Sequence, residues 1–255
     1  LSKAHPLVKE KGGFGIECAV VEDEIKNQNW DLASKWKRAQ DTAKGRAVVK
    51  QTITGPHMLS RFSVNNREDL YKNDKELAYA YSECIKNEIQ QLQKLGCERI
   101  QLDEPVLTEA PQECIWAADV INDIIDSFPT LHFSLHICGG NAHRKRGYFG
   151  KYQDMVDGLK KLKVHELHLE HCTLHYDMLE VFDLYNFDGV LSFGVIDQRS
   201  DELEDIDTVH KRIKPVIDKF GSDKILLSSE CGFGHVPIDI TRAKLNRLVE
   251  AANKY

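Results

Sequence analysis

The sequence predicts an α/β fold on a parallel sheet, a single domain over 1–255 of the (β/α)8 TIM-barrel type whose first strand is not visible in the chain. Three observations carry this expectation. Short β-rich runs alternate strictly with amphipathic helical patterns, the order that yields a parallel sheet. Seven such runs fall within 255 residues, about the length of one barrel. No linker, internal repeat or low-complexity tract divides the chain. A doubly wound sheet is the second form that the same alternation allows.

The predicted strands are 14–21, 47–54, 99–106, 132–138, 166–171, 190–197 and 225–231. The longest helix is marked by Leu77, Tyr81, Ile85, Ile89, Leu92 and Leu95, three and four residues apart, with Gly96 as its stop. Further helices are expected at 113–127, 151–162, 177–184, 203–220 and 240–253. A closed barrel has eight strands, and the shortfall falls at the N-terminus, where 1–13 holds no convincing strand–helix pair. An unpaired sheet edge invites association, so a lost N-terminal segment, a partner chain or a tail is expected to fill the gap. The chain opens on Leu1 without Met, consistent with a processed or truncated start.

Composition narrows the function. With 34 basic and 40 acidic residues the net charge is −6, which argues against a nucleic-acid surface. No run approaches the roughly 20 apolar residues of a membrane-spanning helix, and the polar opening residues form no secretory signal. Seven cysteines, an odd count without framework spacing, read as reduced thiols of a cytoplasmic protein.

Seven of the eleven histidines lie between His132 and His175. In the strand at 132–138 the alternation places His132, Ser134, His136 and Cys138 on one face and Phe133, Leu135 and Ile137 on the other. Helices would cover the apolar face, leaving the polar one to line the barrel interior. His136 and Cys138 then stand at the C-terminal strand end, where barrel enzymes place their sites. Glu166, His168 and Glu170 share a face of the next strand, and Cys231 ends the last. One imidazole, two thiolates and a carboxylate suit Zn²⁺. The same residues also suit a hydrogen-bonded core histidine and small buried thiols.

Six pieces in register bear a resemblance to the catalytic barrel of the cobalamin-independent methionine synthases: Thr54-Gly-Pro56, Ile100-Gln-Leu-Asp-Glu-Pro105, His136-x-Cys138, Leu167-His-Leu-Glu170, Gly194-Val-Ile-Asp197 and Glu230-Cys-Gly232. The resemblance runs from about Lys44 to the end. It implies a cytoplasmic methyltransferase that moves a methyl group from 5-methyltetrahydrofolate, or a related donor, to the thiol of homocysteine, giving methionine. It implies zinc held by His136, Cys138, Glu170 and Cys231; an oxygen ligand is displaced more easily than a thiolate, so Glu170 is expected to be the labile one. Asp103 would hold the amino group of homocysteine, although an Asp-Glu-Pro corner also serves as a plain turn. Glu109 matches a folate-contacting carboxylate, and Phe62 stands where the family usually has a tryptophan against the pterin ring.

The chain departs from the family in other places. A core-only form without the large N-terminal half of the full-length enzymes is expected, and the first strand with its Ile-x-Ser-type contact is not visible in the sequence. Arg199 occupies the catalytic position of a histidine thought to donate a proton, and an arginine cannot cycle a proton near neutral pH. Arg199 therefore favours a second reading, alkylation of another thiol from a non-folate donor. A third is a zinc-binding, non-catalytic partner subunit. Residues 139–150, with Arg144, Lys145 and Arg146 among glycines, read either as a lid over an anionic substrate or as a solvated loop.

Overall fold

The computed structural model describes residues 3–4, 17–27, 29–174 and 177–255. Its centre is a parallel six-stranded sheet of β3 (Gln51–Thr54), β5 (Arg99–Asp103), β6 (His132–Ile137), β7 (Glu166–Glu170), β8 (Val190–Ile196) and β9 (Ile225–Ser229), hydrogen-bonded in that order. A second sheet joins β1 (Lys3–Ala4), β2 (Glu17–Val21) and β4 (Ser63–Asn65), with β2 antiparallel to β1 and parallel to β4. All seven predicted runs contain a strand. Residues 14–16 of the first run, and most of 1–13, lie outside the described residues.

Strand ends were overextended by the sequence, for a local reason. β5 stops at Asp103 because Pro105 can donate no ladder bond, and Pro105–Thr108 turns into a 3-10 helix. Helix α3 (Asp74–Lys94) realises the long pattern, burying Leu77, Ile85, Ile89 and Leu92. Gly96 follows it at φ +89°, a conformation glycine adopts without a steric penalty. The remaining expected helices appear as α4 (Cys114–Asp126), α5 (Val156–Leu159), α6 (Val181–Leu184), α7 (Ile206–Phe220) and α8 (Ile238–Ala252). Two helices, α1 (Leu32–Ala43) and α2 (Pro56–Arg61), and the strands β1 and β4 had no sequence forecast.

The apolar core lies between the sheet and its helices. Phe133, Leu135 and Ile137 on β6 and Leu167 and Leu169 on β7 are all buried there, against residues such as Ile121 and Ile124 of α4. The opposite face is polar. Cα register sets Thr52, Gln101, Ser134 and Glu166 side by side in one layer, and Thr54, Asp103, His136, His168 and Ser192 in the next. Burying such groups is costly unless each is partnered. Lys50 Nζ meets Glu166 at 2.7 Å, Gln101 Nε2 donates to Asp103 at 2.8 Å, and His168 Nε2 lies 2.9 Å from Ser228 Oγ. No helix among the described residues is long and apolar enough to cross a membrane.

Candidate metal centre

At the C-terminal ends of the strands, one ring nitrogen of His136 and the sulfurs of Cys138 and Cys231 lie within 4.8 Å of one another. Strand alternation brings His136 and Cys138 to the same side, and the turn after β9 delivers Cys231. The two sulfurs are 3.9 Å apart, with Cys138 donating to Cys231. That hydrogen bond, together with the His136 imidazole, holds the Cys231 thiol far below its ordinary range, at about 4. The Cys138 thiol is pushed up in turn.

The His136 Nδ1–H donates to the carbonyl of His168 at 3.2 Å. This fixes the ring and leaves Nε2, buried with no hydrogen-bond partner, as the nitrogen that would ligate a cation. An orphaned buried nitrogen beside two sulfurs, one strongly acidified, is the donor set of a soft or borderline cation. The residues present therefore fit a zinc ion.

The three groups border a cavity of about 400 Å³ that Thr52, Thr54, Met58, Gln101 and Asp103 also line. Burial pushes the Asp103 carboxyl up, against the His136 ring and the Gln101 amide. Neither Phe62 nor Glu109 is among the residues lining this cavity. Phe62 caps the end of α2, and Glu109 follows the 3-10 turn after β5; burial, with a smaller push from Glu109, raises the Tyr148 hydroxyl to about 12.

Glu170 ends β7 but does not belong to the His–Cys–Cys group. Its carboxylate is buried, accepts the Gly139 N–H at 3.0 Å and pairs with Arg146 at 2.9 Å and with Arg199. Arg199 also pairs with Glu230 at 3.0 Å and donates to the Gly140 carbonyl at 2.7 Å. Arg199 is thus the bridge between two buried carboxylates. The loop 139–150 folds over this bridge: Arg146 turns inward to Glu170, Arg144 pairs with Asp201 at 2.5 Å, and Lys145 stays exposed.

Sequence reasoning missed Glu104. Fully buried, it accepts the N–H groups of His57 (2.9 Å) and Met58 (2.7 Å), capping the first turn of α2. A Cβ at Gly55 would fall 2.1 Å from its carboxylate, so the glycine of Thr54-Gly-Pro56 is required by this approach. The signal was present in the two motifs, since a buried acid needs amide donors nearby.

A parallel α/β sheet of TIM-barrel type, with a His–Cys–Cys group at its C-terminal mouth, defines the class. The family described as cobalamin-independent synthase, catalytic domain, matches residues 12–254, and the chain belongs to it. Methionine synthases of Saccharolobus islandicus strain L.S.2.15 and Saccharolobus solfataricus strain P2 are 29% and 27% identical over 202 residues, 79% of this chain. The match spans 57% of each relative, a little over half its length. The solved B12-independent methionine synthase from Shewanella sp. W3-18-1, in complex with selenomethionine, aligns with a TM-score of 0.79 at 21% identity. That alignment covers 92% of this chain and 69% of the other. A putative vitamin-B12-independent methionine synthase from Listeria monocytogenes aligns at 0.70 and 20% identity, covering 92% and 72%. At such identities the likeness is one of fold.

Proposed function

We propose that the chain, acting as one zinc barrel domain over 1–255, is a cytoplasmic methyltransferase that methylates the thiol of homocysteine, giving methionine. The donor is 5-methyltetrahydrofolate or a related methyl compound. The observation that carries this reading is the convergence of His136, Cys138 and Cys231 on one cavity in a member of this family. These residues would hold zinc, which when bound supplies the positive charge that keeps a substrate thiol ionised at neutral pH. Asp103, on the wall of the same cavity, would bind the substrate ammonium group. Glu109 and Phe62 stand outside the lining and would meet the donor at the mouth.

Arg199 supports a second reading, alkyl transfer to another thiol from a non-folate donor. Its guanidinium is committed to Glu170 and Glu230 and cannot supply the proton that a folate leaving nitrogen needs. Incubating zinc-loaded protein with homocysteine and methyl-folate should yield methionine. Failure there, with turnover of another thiol and donor in a screen, would select the second reading.

A further inference from the structure

We propose that Arg146 and Arg199 withhold Glu170 from the metal, so that the chain offers three ligands, His136, Cys138 and Cys231, and leaves the fourth position to the substrate sulfur. The inference rests on the zinc reading above and drops Glu170 from the four ligands that the family resemblance implies. Both oxygens of Glu170 are engaged, Oε1 by Arg199 and Oε2 by Arg146 and the Gly139 amide. Neither arginine is more than slightly exposed: their side chains are 11% and 14% accessible, and Glu170 is fully buried.

Charge makes the arrangement self-consistent. Glu170 and Glu230 carry two negative charges, Arg146 and Arg199 two positive ones, and the four groups neutralise one another. Moving Glu170 onto a cation would leave Arg146 facing no carboxylate in a buried site, an arrangement proteins avoid. The remaining partner of Glu230 is already fixed, since its oxygens also accept from Thr173 N–H and Oγ1 at 2.7 Å. The backbone is shaped to the clamp as well: a Cβ at Gly139 would fall 2.4 Å from Arg146 Nε. Two thiolates and an imidazole would neutralise a divalent ion, and among the described residues no further side chain at the His–Cys–Cys group is left to supply a fourth ligand. Substrate sulfur would enter without displacing a protein ligand.

The test compares zinc affinity, by chelator competition, for unmodified protein, Glu170→Gln and Cys231→Ser, and adds the zinc-minus-apo infrared difference spectrum of unmodified protein. The expected result is one zinc per chain in Glu170→Gln, with an affinity loss at least about tenfold smaller than that of Cys231→Ser. The infrared spectrum should show loss of S–H stretching and no shifted carboxylate band. A loss within tenfold of the Cys231 variant, or a carboxylate band that shifts on zinc addition, overturns the three-ligand site while the zinc reading stands. If unmodified protein takes up no zinc, both fall. Should Glu170→Gln fail to fold, the infrared spectrum of the unmodified protein decides alone.

Discussion

Cys231 and Cys172 are two half-buried thiols near the same strand ends, with different surroundings. The Cys231 sulfur accepts from Cys138 and faces His136, whereas burial beside Glu230 pushes the Cys172 thiol up. Cys231→Ser should therefore remove most of the zinc and abolish turnover, while Cys172→Ser should retain a full equivalent, both read by metal analysis of purified protein. A Cys231 variant with full zinc and normal activity would remove the site and the methyltransferase reading together. These residues were legible in the sequence because strand periodicity alone places His136 and Cys138 on one side. The partners of Glu170 were not. They depend on how residues 139–150 fold back, and no periodicity describes a loop that reverses at Gly139, whose carbonyl accepts the Gly147 and Tyr148 N–H groups.

At the scale of elements, the polar layers between strands depend on pairs such as Lys50 and Glu166. Burial alone would raise the Glu166 carboxyl, but the Lys50 ammonium at 2.7 Å and the nearby His132 ring, 3.5 Å away, outweigh it and hold the group down at about 2. A carboxyl depressed from its unfolded value near 4.3 contributes stability above that pH and loses it as pH falls towards 2. Lys50→Met should cost about 3 kcal/mol at pH 7 by stranding the carboxylate, with the difference shrinking in acid. Urea unfolding at pH 7 and pH 3.5 measures both; an equal cost at the two values would refute the pairing. Helix α3 offers a milder case. The Asn73 side chain accepts the Glu76 N–H at 2.9 Å, so Asn73→Ala should lower stability by about 1 kcal/mol in the same assay. Helix α3 was legible because its apolar residues keep helical spacing. Helix α1 was not: Trp36 is its single buried residue, and Asp31 caps it from a left-handed backbone without a side-chain bond to the helix N–H groups. Strand β4 has three residues and exists only through its pairing with β2, a relation absent from local sequence.

Across the whole molecule, the parallel order of the sheet was readable from alternation, and the barrel count was left one strand short. Among the described residues β3 and β9 are the outer strands of the six, each with one neighbour. Beside β9, the exposed Val249 of α8 lines a groove with Ile213, Leu226 and Tyr255, and α8 exposes Ile238 and Leu245 as well. Apolar surface next to an open sheet edge promotes association. The 255-residue chain should therefore self-associate as its concentration rises, and Val249→Lys should reduce this in light scattering without changing metal content. A chain that stays monomeric at high concentration would show that these edges are already protected.

The separation of the apolar layer from the polar interior has a consequence for tolerance to change. Phe133, Leu135 and Ile137 anchor β6 to its helices from one side, while His136 and Cys138 act from the other. Ligand substitutions leave that anchoring untouched, so metal-free His136 or Cys231 variants should melt within a few degrees of the metal-free parent. Residues at the mouth can then be exchanged while the scaffold that presents them goes on folding as before.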